Sequence, residues 1–164
     1  MFCRLLSGLL AIVALGACQQ YDVSVNERVV YSPRPLLTDF RIPDPGLRDC
    51  ITRAINDNKI SSIGQLQELQ CSGANVRSLE GLERFSSLSQ LDLAGNAIAD
   101  IGALRVLLEL RTLILDDNRI EDASALYRLP ELVVLSLAGN TGMSCPGQGQ
   151  LQSLQRLTLP RHCR

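Results

Sequence analysis

Tryptophan is absent, aromatics make up 4% of the 164 residues, and Lys59 and His162 are the only lysine and the only histidine. So few aromatics leave little on which bases or sugars could stack. The formal net charge is −1, and the remaining basic residues are arginines spread without a run. Nothing there tracks a phosphate backbone, so no nucleic-acid partner is expected. Catalytic signatures are missing too: no GxSxG, HExxH, GxxxxGK(S/T) or GxGxxG occurs. A lone His162 near the C-terminus lacks the supporting groups of a general base and reads as a surface or cap residue. The six cysteines contain no CxxC, which argues against zinc or redox catalysis. Asp116, Asp117 and Asn118, with Glu121 and Asp122, lack the glycine and final glutamate of a calcium loop. No metal, cofactor or enzymatic activity is therefore expected, and no unassigned stretch is long enough for a catalytic domain.

What is present begins with a short apolar leader. Arg4 is followed by Leu5 to Leu15, an apolar run broken only by Ser7 and Gly8. A membrane span needs roughly 20 apolar residues, so the run suits a secretory signal instead. Leu15-Gly16-Ala17-Cys18 comes next. It resembles the lipobox of bacterial lipoproteins. The resemblance implies that residues 1–17 are removed, that the Cys18 thiol carries diacylglycerol, and that the new amino terminus is acylated with a palmitate-type chain. Two or three chains would hold the protein on a membrane stably, where one is marginal. Gln19 is not the aspartate that retains many such proteins at the inner membrane. The implied location is the cell envelope, at the outer membrane if the cell is Gram-negative. Cys3 leaves with the signal.

Residues 18–39 are polar and carry Pro33 and Pro35. YDVSV and RVVYS alternate partly around Asn26-Glu27, which allows a small hairpin; an extended tether is the other reading. Residues 40–65 then form an N-terminal cap. Asp44 suits an N-cap and Pro45 the first helical position. Leu47, Ile51, Ala54 and Ile55 follow at helical spacing, and Asn56 to Asn58 end the helix.

From residue 66 a phrase repeats. Leu66, Leu88, Leu110, Leu132 and Leu154 recur every 22 residues. With each leucine at position 0, apolar residues are expected at positions 0, 3, 5, 10, 13, 16 and 19. Residues 66–153 give four repeats, in which 26 of 28 such slots are apolar, counting cysteine. The exceptions, Gly142 and Gln148, fall in the fourth repeat, and Cys145 occupies its position 13. A degraded last repeat is expected of a terminal cap. Residues 154–164 add a final strand that Pro160 stops.

Position 8 carries Asn96, Asn118 and Asn140. The phrase LxxLxLxxN resembles the leucine-rich repeat, and its 22-residue length resembles the internalin-like subclass. The resemblance implies an α/β solenoid whose short parallel strands line a concave sheet. It also implies that the three asparagines form an inward ladder bonding adjacent coils; an amide both donates and accepts, as that role needs. The first repeat departs, with Ala74 at position 8 and Asn75 beside it.

The other cysteines sit at the two ends of the array. Cys50 lies on or beside the apolar face of the cap helix, and Cys71 occupies a slot where later repeats have leucine. In an oxidising compartment they read as a disulfide, with two buried thiols as the other reading. Cys145 and Cys163 bracket the final coil, where a bridge would hold the edge strand. Each would stabilise by ~3 kcal/mol in the chain-entropy model.

Positions 2, 4 and 6 of each strand are left to face out of the sheet. They offer Glu68, Gln70, Gln90, Asp92, Thr112, Ile114, Asp116, Val134, Ser136 and Arg156 as a binding surface. Thr112, Ile114 and Val134 make an apolar centre, with acids to one side and Arg156 at the far end. That suits an interface, although small solvent-facing strand residues need no partner. The expected function is a non-catalytic module, held by lipid at the bacterial envelope, that recognises a protein on this face. The alternative is a structural lipoprotein acting as a rigid spacer.

Overall fold

The computed structural model describes residues 23–25, 28–31, 36–147, 149–151 and 154–163. The chain divides into two compact units, residues 1–35 and 36–164. In the first, β1 (Val23–Val25) pairs antiparallel with β2 (Arg28–Tyr31). Cys18 and the leader lie outside the described residues. No helix among the described residues is long and apolar enough to cross a membrane.

The second unit begins at Leu36. Leu37 donates its N–H to the Ile60 carbonyl at 2.9 Å, and Phe40 meets Phe85 edge-on with centroids 6.0 Å apart. Helix α1 (Pro45–Asp57) follows. Asp44 Oδ1 accepts from the Leu47 N–H at 2.9 Å, capping the orphan donors of the first turn. Leu47, Cys50, Ile51 and Ile55 make the buried face. Asn58 ends the helix, its backbone and side-chain N–H groups both donating to the Ala54 carbonyl.

The repeats form one parallel sheet, β3 (Glu68–Gln70), β4 (Gln90–Asp92), β5 (Thr112–Ile114), β6 (Val134–Ser136) and β7 (Arg156–Thr158), in that spatial order. Every pair is in register at the repeat length: Leu69, Leu91, Leu113, Leu135 and Leu157 stand side by side. Each strand spans positions 2 to 4 of its repeat and holds one leucine of the series, at position 3. The chain returns through 3₁₀ segments at Leu82–Arg84, Gly102–Val106 and Ser124–Leu126, which pack on one another opposite the sheet. The architecture is an α/β solenoid of leucine-rich repeats, capped by α1 and closed by a disulfide at its other end.

All the expected core slots of the first three repeats are buried, and so are Leu132, Leu135, Leu137 and Leu151 of the fourth. Cys145 is the correction. It is exposed, and Met143, two residues earlier, is buried in its place. The sulfur of Cys145 is bonded to Cys163 in the final turn. Leu157 keeps 38% of its surface exposed, since β7 is an edge strand of the described sheet.

Candidate functional site

The asparagines do more than cross-link. Asn118 Oδ1 accepts from the Ile98 N–H of the preceding coil at 3.1 Å. Its Nδ2 donates to the Leu93 carbonyl of that coil at 2.9 Å, and to Leu115 and Asp116 of its own at 3.1 Å each. Asn96 repeats the pattern with Val76, Cys71, Leu93 and Ala94. Asn140 repeats it with Ile120, Leu115, Leu137 and Ala138. Consequently the Leu93 carbonyl accepts from Asn96 and Asn118, and the Leu115 carbonyl from Asn118 and Asn140. Both lone pairs are used, so backbone buried inside the turns is satisfied. Asn140 is fully buried and Asn118 nearly so. Among the described residues no fully buried side-chain N or O lacks a partner.

Ala74 has no amide to offer, and Asp44 serves the first coil instead. Its Oδ2 accepts from the N–H groups of Arg77 at 2.9 Å and Ser78 at 3.1 Å. Burial pushes this carboxyl up, but backbone donors at Leu47, Arg77, Ser78 and Gly46 outweigh that and hold it below the ordinary aspartate range. One side chain thus starts the helix and fastens it to the repeat. The N-cap role is visible in the sequence; the contact 33 residues away is not.

Position 7 of each coil, just before the ladder, is left-handed. Gly73, Gly95, Asp117 and Gly139 have φ of 63°, 66°, 53° and 75°. Glycine adopts this at little cost, and aspartate is among the few other residues that tolerate it.

The two cysteine pairs are both disulfides. Cys50–Cys71 ties α1 to the residue just after β3 with Cα atoms 5.7 Å apart, and Cys145–Cys163 ties the last coil with Cα atoms 5.3 Å apart. His162 sits in the final turn, its Nε2 2.8 Å from the Met143 carbonyl. Cys145, His162 and Cys163 bring their side-chain ligand atoms within 4.8 Å of one another, but the two sulfurs are bonded together.

On the sheet face the outward residues stand in rows. Glu68, Gln70, Gln90 and Arg156 are exposed, whereas Asp92, Thr112, Ile114, Asp116, Val134 and Ser136 are half-buried. Gln90 Nε2 donates to Glu68 Oε1 at 2.8 Å, joining two rows. The acids are not equivalent. Asp116 Oδ1 accepts from Ser136 Oγ at 2.5 Å and from the Ala138 N–H at 2.8 Å, bridging two coils. Asp92 Oδ1 accepts from the Ala94 N–H at 2.9 Å. Both are engaged in holding the strand ends. Alternation in a sequence cannot reveal that, because it assigns a face and not a partner. The face left for contact centres on Thr112, Ile114 and Val134, with Glu68 and Arg156 at opposite edges.

No family model and no curated protein matches the chain. Solved structures do. An internalin of Listeria monocytogenes, inlF, aligns at 26% identity over 72% of this chain and 43% of its own, with a TM-score of 0.52. Internalin C2 of the same organism aligns at 22% identity over 73% of this chain and 65% of its own, with a TM-score of 0.58. The chain spans less than two thirds of the length of either internalin. In fold, the chain is a leucine-rich-repeat protein similar to the internalins.

Proposed function

We propose that the chain is a non-catalytic protein-binding module of the bacterial cell envelope, held there by lipid on Cys18 and recognising a protein partner on its sheet face. The observation that carries the reading is the half-buried aliphatic centre formed by Thr112, Ile114 and Val134. Their neighbours in register, Gln90 and Arg156, are exposed and polar. A dry centre inside a polar rim is the anatomy of a protein interface. The similarity to internalins supports a recognition role through the shared fold, and the lipobox resemblance supports the anchor.

The test pairs Ile114→Arg with Val134→Arg and compares crosslinked partners in living cells. Both side chains point away from the core, so the solenoid should persist, checked by circular dichroism. Loss of a specific crosslink supports the reading. An unchanged partner set would sink it and leave the spacer role, which needs the array's rigidity and not its face. Intact mass of the mature protein tests the anchor separately: an unmodified Cys18 thiol rules it out.

A further inference from the structure

The coils pair by one rule, and it defines what the first strand would pair with. The N–H at position 2 donates to the position 1 carbonyl of the preceding coil: Gln90 to Gln67, Thr112 to Ser89, Val134 to Arg111 and Arg156 to Val133, at 2.9 to 3.1 Å. The carbonyl at position 4 accepts from the position 5 N–H of the preceding coil: Asp92 from Cys71, Ile114 from Leu93, Ser136 from Leu115 and Thr158 from Leu137, at 2.8 to 2.9 Å. The carbonyl at position 6 accepts in the same way from position 7: Ala94 from Gly73, Asp116 from Gly95 and Ala138 from Asp117, each at 2.8 Å. On the first coil the corresponding groups are the Glu68 N–H and the Gln70 and Ser72 carbonyls. There β3 is an edge of the described sheet, so no strand stands before them.

Helix α1 covers the apolar end of the array but cannot take the place of that strand, because a helix uses its backbone groups within itself. Between α1 and β3 runs a groove of about 720 Å³, within the range of ligand sites. Arg53, Ala54 and Asp57 line it from the helix, and Glu68, Gln70 and Ser72 from the strand side. All three strand-side residues are exposed. The Cys50–Cys71 bridge fastens one wall to the other. The Cys50 sulfur lies 3.1 Å from the Gln70 carbonyl oxygen, but it is bonded to Cys71 and has no proton to donate.

We propose that this groove binds an extended peptide segment of a partner protein, which adds a strand to the open edge of β3. An extended backbone offers carbonyl and N–H groups at the alternation that Glu68, Gln70 and Ser72 call for, and strand addition is a recurring mode of peptide recognition. The four residue steps from Glu68 to Ser72 cover about 13 Å at ~3.3 Å per residue, so a segment of about five residues fills the edge. Arg53, Asp57 and Glu68 give the walls both signs of charge, and the groove therefore reads main chain and not net charge. Its one side-chain demand comes from Cys50, whose sulfur narrows the groove beside Gln70, so glycine or alanine passes there. This site is separate from the sheet face and does not depend on the lipid anchor.

A phage library of random dodecapeptides is panned on the full chain, and the tightest peptide is titrated against variants by fluorescence anisotropy. Enriched sequences should carry β-branched residues, as strands do, interrupted by a glycine or alanine. Glu68→Pro removes the edge N–H while the bonds to β4, made by residues such as Gln67 and Cys71, remain. Proline is accepted at the first residue of an edge strand. It should weaken binding about fivefold or more, the worth of one hydrogen bond, whereas Glu68→Ala, which keeps the N–H, should change it less than twofold. Ala54→Arg fills the groove from the helix wall without altering β3 and should abolish binding, which keeps the test open should Glu68→Pro fail to fold by circular dichroism. No enrichment, equal losses for Glu68→Pro and Glu68→Ala, or binding that survives Ala54→Arg overturns the proposal. So does self-association, seen by sedimentation, that Glu68→Pro abolishes while no peptide binds, since it assigns the edge to a second copy of the chain.

Discussion

Replacing Asn118 tests the ladder at its centre. Asn118→Ala removes four hydrogen bonds, yet most of the partners are not orphaned. The Leu93 carbonyl keeps Asn96 Nδ2 at 2.8 Å, and the Leu115 carbonyl keeps Asn140 Nδ2 at 2.9 Å. The Asp116 carbonyl keeps the Gly95 N–H at 2.8 Å. Only the Ile98 N–H, on a residue with no exposed surface, is left unpaired. An orphaned buried donor costs ~1–3 kcal/mol, and the lost bonds and small void add about 1 more, so the expected loss is about 3 kcal/mol. Asn118→Asp should cost more at neutral pH, about 4–5 kcal/mol. Its carboxylate still accepts from Ile98, but the other oxygen faces three carbonyl oxygens where an amide donated at 2.9 to 3.1 Å. That repulsion raises the folded-state pKa of the new carboxyl above the unfolded value of about 3.9. The penalty is therefore full above the folded pKa and relieved as pH falls through it. Urea denaturation at neutral pH and near pH 4 with both disulfides intact reads all of this, and amide exchange at Ile98 reads the orphaned donor. An Asn118→Asp protein as stable as Asn118→Ala at neutral pH, or an aspartate penalty that does not shrink in acid, would refute the reasoning.

Three further expectations concern the ends and turns. Asp44→Ala should cost about 2–3 kcal/mol by removing a helix cap and the acceptor for Arg77 and Ser78. Since the folded carboxyl is held low, the stability it contributes is present above the unfolded pKa and lost as pH falls through the folded one. The gap between wild type and Asp44→Ala in denaturant should accordingly narrow in acid, and a gap independent of pH contradicts this. Cys145→Ser with Cys163→Ser should lower stability by ~3 kcal/mol. In the native protein a dithiol should open this bridge first, because Cys145 is exposed while Cys50 and Cys71 are 4% and 2% exposed. Alkylation and mass spectrometry give the order. Gly73→Ala and Gly81→Ala both put a side chain on left-handed backbone, but a Cβ at 73 meets nothing within 4 Å. At 81 it falls 2.5 Å from the Arg41 carbonyl oxygen and 2.8 Å from Ile42 Cδ1. Melting curves should show a loss of about 1–2 kcal/mol for the first and at least about 1 kcal/mol more for the second; similar losses would contradict the packing argument.

The repeat made most of this fold legible. A leucine at fixed spacing becomes a strand register directly, since Leu69, Leu91, Leu113, Leu135 and Leu157 are 22 apart in sequence and adjacent in the sheet. Legibility falls where the period does. Cys145 fits the period yet is exposed, and Met143 sits off the period yet is buried. The period has already lost Gly142 and Gln148 there, so a slot count no longer says which side chain turns inward. Asp44 shows a second limit, because its partners Arg77 and Ser78 are joined to it by backbone N–H groups that carry no residue signature. The site is legible in outline only. Alternation places Asp92 and Asp116 on the sheet face with Thr112 and Ile114, whereas Asp92 accepts from Ala94 just past its own strand and Asp116 from Ser136 and Ala138 of the next coil.

Among the described residues, each ladder asparagine bonds its own coil and the one before it, and not the one after. The array therefore has a direction, and every interior coil presents the same set of groups to its successor that it received from its predecessor. Copying one 22-residue segment between Leu88 and Leu132 within the gene would supply a new asparagine together with the carbonyls and N–H it must meet. The terminal clamps at Cys50–Cys71 and Cys145–Cys163 would be untouched. Length is then the easiest property of this protein for mutation to change, and the breadth of the sheet face changes with it.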